Sequence, residues 1–80
     1  MDSNLIKEMI KKSIFGANIK VFDTTGTGDH FKVIVISNTF NGMPLIERHK
    51  LIYKSLNQYL TKEIHALEII TQTNKEYANE

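Results

Sequence analysis

One run of residues limits the possible folds more than any other. Between His30 and Ser37 the chain places Phe31, Val33, Ile34, Val35 and Ile36, all aromatic or β-branched and apolar on both parities. A strand with one wet face alternates apolar and polar side chains. A strand that is apolar on both parities is central in its sheet, or has its second face covered as well. At 80 residues the chain has room for one domain, and with no cysteine it has no disulfide to staple that domain. The core must therefore come from helices stacked on a sheet built around this strand.

Flanking patterns supply those elements. Ser3 can cap a helix whose stripe is Leu5, Ile6, Met9, Ile10 and Ile14, with Lys7, Lys11 and Lys12 off the stripe and Gly16 as the stop. The spacing predicts this helix over residues 3–15. Ile19 to Phe22 reads as a short strand, and Asp23 to Asp29 as a mobile hairpin loop containing Gly26 and Gly28. Asn41-Gly42 breaks the chain, and Pro44 suits the first turn of a second helix over 44–60, with Leu45, Ile46, Ile52, Tyr53, Leu56 and Leu60 as its stripe. Ile64 to Gln72 reads as a third strand, with Leu67 and Ile69 on one face and Ile70 on the other. Thr73 and Glu76 are spaced for a capping box, so a short final helix can follow. The order is α-β-β-α-β with that last helical turn. The long helix between strands two and three is a crossover, which makes those strands parallel. The expected fold is α+β, with two helices packed on one face of a three-stranded mixed sheet in a type II KH-like arrangement.

Charge and composition narrow the function. The formal net charge is +1 and the pI about 8.0, milder than the values above ~9 common in nucleic-acid-binding domains. Met1-Asp2-Ser3-Asn4 lacks the basic and apolar regions of a signal peptide. The longest apolar run, Val33 to Ile36, is far short of the ~20 residues that span a bilayer. No membrane partner is expected, and a cytoplasmic or organellar-matrix location is. Ser13, Ser37 and Ser55 have no evident histidine–acid relay, and Asp23 and Asp29 flanking one loop are weak grounds for acid–base chemistry. The expectation is a protein that is not an enzyme.

Several short words in the chain fall in a telling order. Val21-Phe22-Asp23, Gly28-Asp29-His30-Phe31-Lys32-Val33, Ser37 and Phe40-Asn41-Gly42 resemble the first half of a BolA-like domain. Leu45-Ile46-Glu47-Arg48-His49-Lys50-Leu51-Ile52-Tyr53 resembles that family's second-helix motif, and Ile64-His65-Ala66-Leu67 its histidine-containing third strand. The resemblance covers about residues 3 to 77, making residues 1–80 a single BolA-like domain. It implies an adaptor that pairs with a monothiol glutaredoxin, either as an apo complex or through a shared [2Fe–2S] cluster completed with glutathione, in cluster trafficking, maturation or iron sensing. It also implies, more weakly, transcriptional regulation through nucleic-acid binding, since fold alone does not fix function. The chain departs from the family pattern in three places. The hairpin loop holds Thr25, Gly26, Thr27 and Gly28 where many members carry a Cys or a His. Asn74 follows Thr73 where a Thr-Pro pair is usual, and Tyr77 stands where a Trp is usual.

The resemblance makes His65 a cluster ligand, and imidazole can replace thiolate on one iron of such a centre. His30 is the candidate second ligand. The starts of adjacent parallel strands lie ~4.8 Å apart, although parity sets His65 with Leu67 and Ile69 and opposes His30 to Phe31 and Val33. His49 reads as a partly buried helix histidine supporting the fold. Thr24, Thr25, Gly26, Thr27, Gly28, Asp29 and Ala66 would line the edge facing a partner, and Arg48 and Lys50 would dock the partner's acidic or glutathione-bearing side. For the nucleic-acid alternative, Lys20, Lys32, Arg48, Lys50 and Lys54 would form one basic face. Gly26-Thr27-Gly28 lacks the lysine of a phosphate-binding loop and joins strands rather than opening a helix. Ligand counting adds a constraint: a [2Fe–2S] cluster takes four ligands, mostly thiolates, and this chain has no cysteine and three histidines. The isolated chain, expected to be a monomer, would hold no cluster, and a partner must bring the soft donors.

Overall fold

In the computed structural model, which describes residues 1–60 and 62–80, the helix α1 spans Ser3–Ser13. Asp2, rather than Ser3, caps it: the Asp2 carboxylate accepts from the Asn4 backbone N–H at 2.7 Å. Ile6 and Ile10 are its buried residues. The chain then leaves the helix through Ile14, which is buried, and Gly16, whose φ of 80° suits a residue without a Cβ.

Strand β1 (Asn18–Asp23) pairs antiparallel with β2 (His30–Ile36), from Asn18 opposite Ile36 to Asp23 opposite Phe31. Strand β3 (Ala66–Gln72) runs parallel to β2, from His30 opposite Ala66 to Ile36 opposite Gln72. The sheet order is β1-β2-β3, so the strand that is apolar on both parities is the central one. A 3-10 turn, Asn38–Phe40, leads from β2 toward the helix α2 (Leu45–Ser55), and a second, Asn57–Tyr59, follows that helix.

Ile19, Phe31, Val33 and Val35 point at the helical layer, where they meet Ile6, Ile10, Phe40, Ile52, Leu56 and Ile64 in one buried cluster. The second sheet face carries Lys32, Ile34, Glu68 and Ile70, the alternate positions of β2 and β3. The helix α3 (Asn74–Ala78) opens with the capping box that Thr73 and Glu76 predict. It turns back far enough for the Tyr77 hydroxyl to meet the Lys20 ammonium of β1 at 3.5 Å.

Helix α2 departs from its predicted form. It stops at Ser55, and its buried line is Ile52 followed by Leu56, with Arg48 one turn earlier. Leu45 and Ile46 lie 59% and 64% exposed, and Tyr53 is also exposed. With sheet and α1 both on one side of this helix, only one narrow line of its residues can face inward. The α-β-β-α-β-α order and mixed sheet match the predicted α+β class and are compatible with a KH-like arrangement. Among the described residues no helix is long and apolar enough to cross a membrane.

Candidate functional site

At one edge of the sheet the β1–β2 hairpin loop meets the start of β3. Asp23, the last residue of β1, organises that loop. Its Oδ1 accepts from the backbone N–H groups of Thr25 (3.3 Å) and Gly26 (2.8 Å), and its Oδ2 from that of Gly28 (2.8 Å). Thr24 closes the hairpin by donating its backbone N–H (2.9 Å) and its hydroxyl (3.1 Å) to the His30 carbonyl. Gly28 has a φ of 75°, and a Cβ there would lie 2.8 Å from the Met1 nitrogen, which itself donates to the Gly28 carbonyl at 2.7 Å. The loop predicted to be loose is therefore cross-braced, because one carboxylate gathers three of its amides.

The same loop delivers Asp29, which holds the site together. Its backbone carbonyl accepts from the N–H groups of His65 (2.8 Å) and Ala66 (3.3 Å), tying the start of β3 to the end of the loop. Its side chain lies between two imidazoles, with Oδ1 2.8 Å from His30 Nδ1 and Oδ2 3.4 Å from His65 Nδ1. The Thr27 hydroxyl donates to Oδ1 as well. These partners, the Thr27 hydroxyl first and the His30 ring next, lower the Asp29 pKa from 3.8 to about 2.

The imidazole rings stand edge to face, their centroids 6.3 Å apart and their planes at 85°. Both are open to solvent, the side chains 41% (His30) and 57% (His65) exposed. The parity conflict disappears because His65 lies just outside the β3 ladder. Ala66, not His65, is the register partner of His30, and His65 answers to the Asp29 carbonyl instead. Two shallow hollows flank Ala66 and Leu67: one of about 230 Å³ reaches His65, Tyr53 and Ile64, and one of about 250 Å³ reaches His30, Thr24 and Glu68.

Thr24 through Asp29, His30, His65 and Ala66 thus share one edge, whereas Arg48 and Lys50 do not join them as a docking pair. The Arg48 side chain is only 11% exposed. Its Nε donates to the Met43 carbonyl at 2.8 Å, and its two terminal nitrogens donate to the Glu76 carboxylate at 2.6 and 3.2 Å. The guanidinium also lies 5.7 Å from the centre of the Phe40 ring. Arg48 and the backbone N–H of Thr73 hold the Glu76 carboxyl down at about 2. Arg48 is therefore a structural clasp between α2 and α3, with three of its five N–H donors committed there. Lys50 pairs with Glu47 at 3.7 Å on the outer side of α2.

Nor do the five basic residues form one face. Lys20, beside Tyr77, and Lys32, 3.9 Å from Glu68, belong to the second sheet face. Arg48, Lys50 and Lys54 belong to the helical layer on the other side. His49 is half-buried, as a fold-supporting histidine would be, and its buried Nε2 has no hydrogen-bond partner among the described residues. Sequence reasoning placed Asp29 on the partner edge but missed its link to both histidines. Its position directly before His30 was the available signal.

Fold and site together define a small α+β domain whose distinguishing surface is a strand edge carrying two histidines joined by a carboxylate. A sequence profile of the BolA-like protein family matches residues 7–76, and the chain belongs to that family. It is 35% identical over 66 residues to the uncharacterized protein RP812 of Rickettsia prowazekii, covering 82% of this chain and 86% of that one. It is 40% identical over 52 residues to the DNA-binding transcriptional regulator BolA of Escherichia coli, covering 65% of this chain and 50% of that protein. Among solved structures, BolA1 from Arabidopsis thaliana superposes with a TM-score of 0.83 at 29% identity, covering 92% of this chain and 93% of that one. The BolA domain of SufE1 from the same plant superposes with a TM-score of 0.80 at 31% identity and the same coverage.

Proposed function

We propose that this chain is a non-enzymatic adaptor that binds a monothiol glutaredoxin and shares a [2Fe–2S] cluster with it, in iron–sulfur cluster trafficking, maturation or iron sensing. The observation that carries this reading is the pair of solvent-open imidazoles at one rim of a chain with no cysteine. Each ring turns Nδ1 toward Asp29, and among the described residues no hydrogen bond engages either Nε2. Two nitrogen donors fit a cluster only in part. Among the described residues, no group of three or more His, Cys, Asp or Glu could hold a metal ion by itself. The thiolates belong to the partner, and glutathione supplies one of them. His65 and His30 are the nitrogen ligands in this reading, and the braced loop from Thr24 to Asp29 with Ala66 forms the rim around them.

One mixing experiment tests it. A cluster is reconstituted on a monothiol glutaredoxin with glutathione, this chain is added, and visible absorption, circular dichroism and complex mass are followed. A changed spectrum that His65→Ala abolishes is the expected result. An unchanged spectrum at saturating chain overturns the reading.

The alternative, nucleic-acid binding by a transcriptional regulator, draws support from the name of the E. coli relative. It would show as salt-dependent DNA binding. The division of Lys20 and Lys32 from Arg48, Lys50 and Lys54 between opposite layers weighs against it.

A further inference from the structure

We propose that Asp29 is a positioning residue that sets the tautomer of the two histidines, holding the proton on Nδ1 so that each Nε2 presents a free lone pair at the rim. The inference rests on the reading of His30 and His65 as nitrogen ligands for its purpose, but not for its test.

The argument starts from what each group can donate. A carboxylate is acceptor-only, and a neutral imidazole carries one N–H and one lone pair. A ring nitrogen facing a carboxylate at hydrogen-bond distance must therefore be the one that bears the proton. At 2.8 Å from Oδ1, His30 Nδ1 meets that condition. His65 Nδ1, 3.4 Å from Oδ2, is approached more loosely and is biased the same way. The two oxygens divide the task, and neither ring competes for the other's acceptor.

Asp29 is itself oriented from two sides. The Thr27 hydroxyl donates to Oδ1, and the backbone carbonyl of Asp29 is fixed by the His65 and Ala66 amides. Thr27 has a second contact, with the Thr25 hydroxyl at 2.6 Å, inside the loop that Asp23 braces. The chain of support runs from Asp23 through the loop to Asp29 and then to the rings. A hydrogen bond on the non-ligating nitrogen fixes ring direction and raises the basicity of the ligating one. A side-chain imidazole left to itself in water prefers its proton on Nε2, where no lone pair would face outward. Asp29 reverses that preference.

The test needs no cluster. Long-range 1H–15N correlation spectra of the isolated, 15N-labelled chain distinguish protonated from unprotonated ring nitrogens. They are recorded at a pH of about 8, above the ordinary imidazole range. The wild-type chain is expected to show His30 protonated on Nδ1, with His65 shifted in the same direction. Asp29→Asn keeps the backbone bonds and the side-chain shape, and its amide can donate as well as accept. It is expected to return both rings toward the Nε2–H form while the amide spectrum of the sheet stays in place. Asp29→Glu should restore the Nδ1–H form of His30 at least in part.

A wild-type His30 protonated on Nε2 overturns the proposal, as does an Asp29→Asn spectrum with unchanged tautomers. The wild-type spectrum alone decides the matter if Asp29→Asn does not fold. In the glutaredoxin mixing experiment, Asp29→Asn should raise the concentration of chain needed for the spectral change by about 10–100-fold. Tautomers as expected with no spectral change on mixing would sink the cluster reading and leave the role of Asp29 standing.

Discussion

Phe40 sits where three parts of the molecule meet, and its replacement tests how they are joined. The ring is fully buried in the core cluster, and the Arg48 guanidinium that clasps Glu76 lies against it. Phe40→Ala removes a buried aromatic ring and leaves a cavity, a change that typically costs about 3–5 kcal/mol. The lost cation–π contact is included in that figure at roughly 0.5–1 kcal/mol. A domain of 80 residues has about 4–12 kcal/mol in total, so the substitution removes a large share of the stability. Phe40→Leu keeps most of the volume and should cost about 1 kcal/mol, chiefly through the cation–π contact. In urea titrations followed by far-ultraviolet circular dichroism, with a slope of about 1 kcal/mol/M, the midpoint should fall by about 3 M or more for Ala and about 1 M for Leu. Hydrogen exchange of the Tyr77 amide, which bonds to the Thr73 carbonyl at 3.0 Å, should speed up in the Leu variant because Arg48 loses its backing. A loss under about 1 kcal/mol for Phe40→Ala, or equal losses for the two variants, would refute this account of the junction.

Other expectations follow from the site and its loop. His65→Ala removes an exposed side chain and should change stability by no more than about 0.5 kcal/mol, read by the same urea titration, whereas His30→Ala also removes the 2.8 Å partner of Asp29 and should cost more than His65→Ala. The Asp29 carboxyl, held near 2 against an ordinary 3.8, is lower in the fold than in the unfolded chain. Its contribution to stability is therefore present above the ordinary carboxylate range and is lost as the pH falls toward about 2. A carbon-detected NMR titration should find that midpoint, and Thr27→Val should move it upward. Gly42→Ala places a Cβ at a φ of 75° with open space around it, so it should cost about 1 kcal/mol from backbone strain alone. Gly28→Ala should cost more, because its Cβ would also meet the Met1 nitrogen at 2.8 Å.

What the sequence made legible was local. The β-branched content of Phe31 to Ile36 marks a central strand whatever surrounds it, and the Thr73–Glu76 spacing marks a capping box. The ordered words around Gly28-Asp29-His30-Phe31 and Ile64-His65-Ala66-Leu67 sufficed to indicate the family. What stayed hidden depended on pairings far apart in the chain. Arg48 looks like a free surface cation until Glu76, 28 positions away, is seen to accept from both its terminal nitrogens. Leu45, Ile46 and Tyr53 look like core by residue type, but apolar identity does not compel burial when the helix has only one covered side. The meeting of His30 and His65 depends on where the β3 ladder begins. One residue decides it, since His65 lies before Ala66 and answers to a loop carbonyl rather than to β2.

The parallel pairing of β2 with β3 has a consequence for the order of events in folding. His30 and His65 are separated in sequence by all of α2, so no local hairpin or helix brings them together. Their proximity requires closure of the long crossover, one of the slower steps available to a small chain. With β1 and β2 paired but β3 still free, only His30 would stand at the rim. The two-nitrogen rim thus comes into being only when the last strand docks beside the central one.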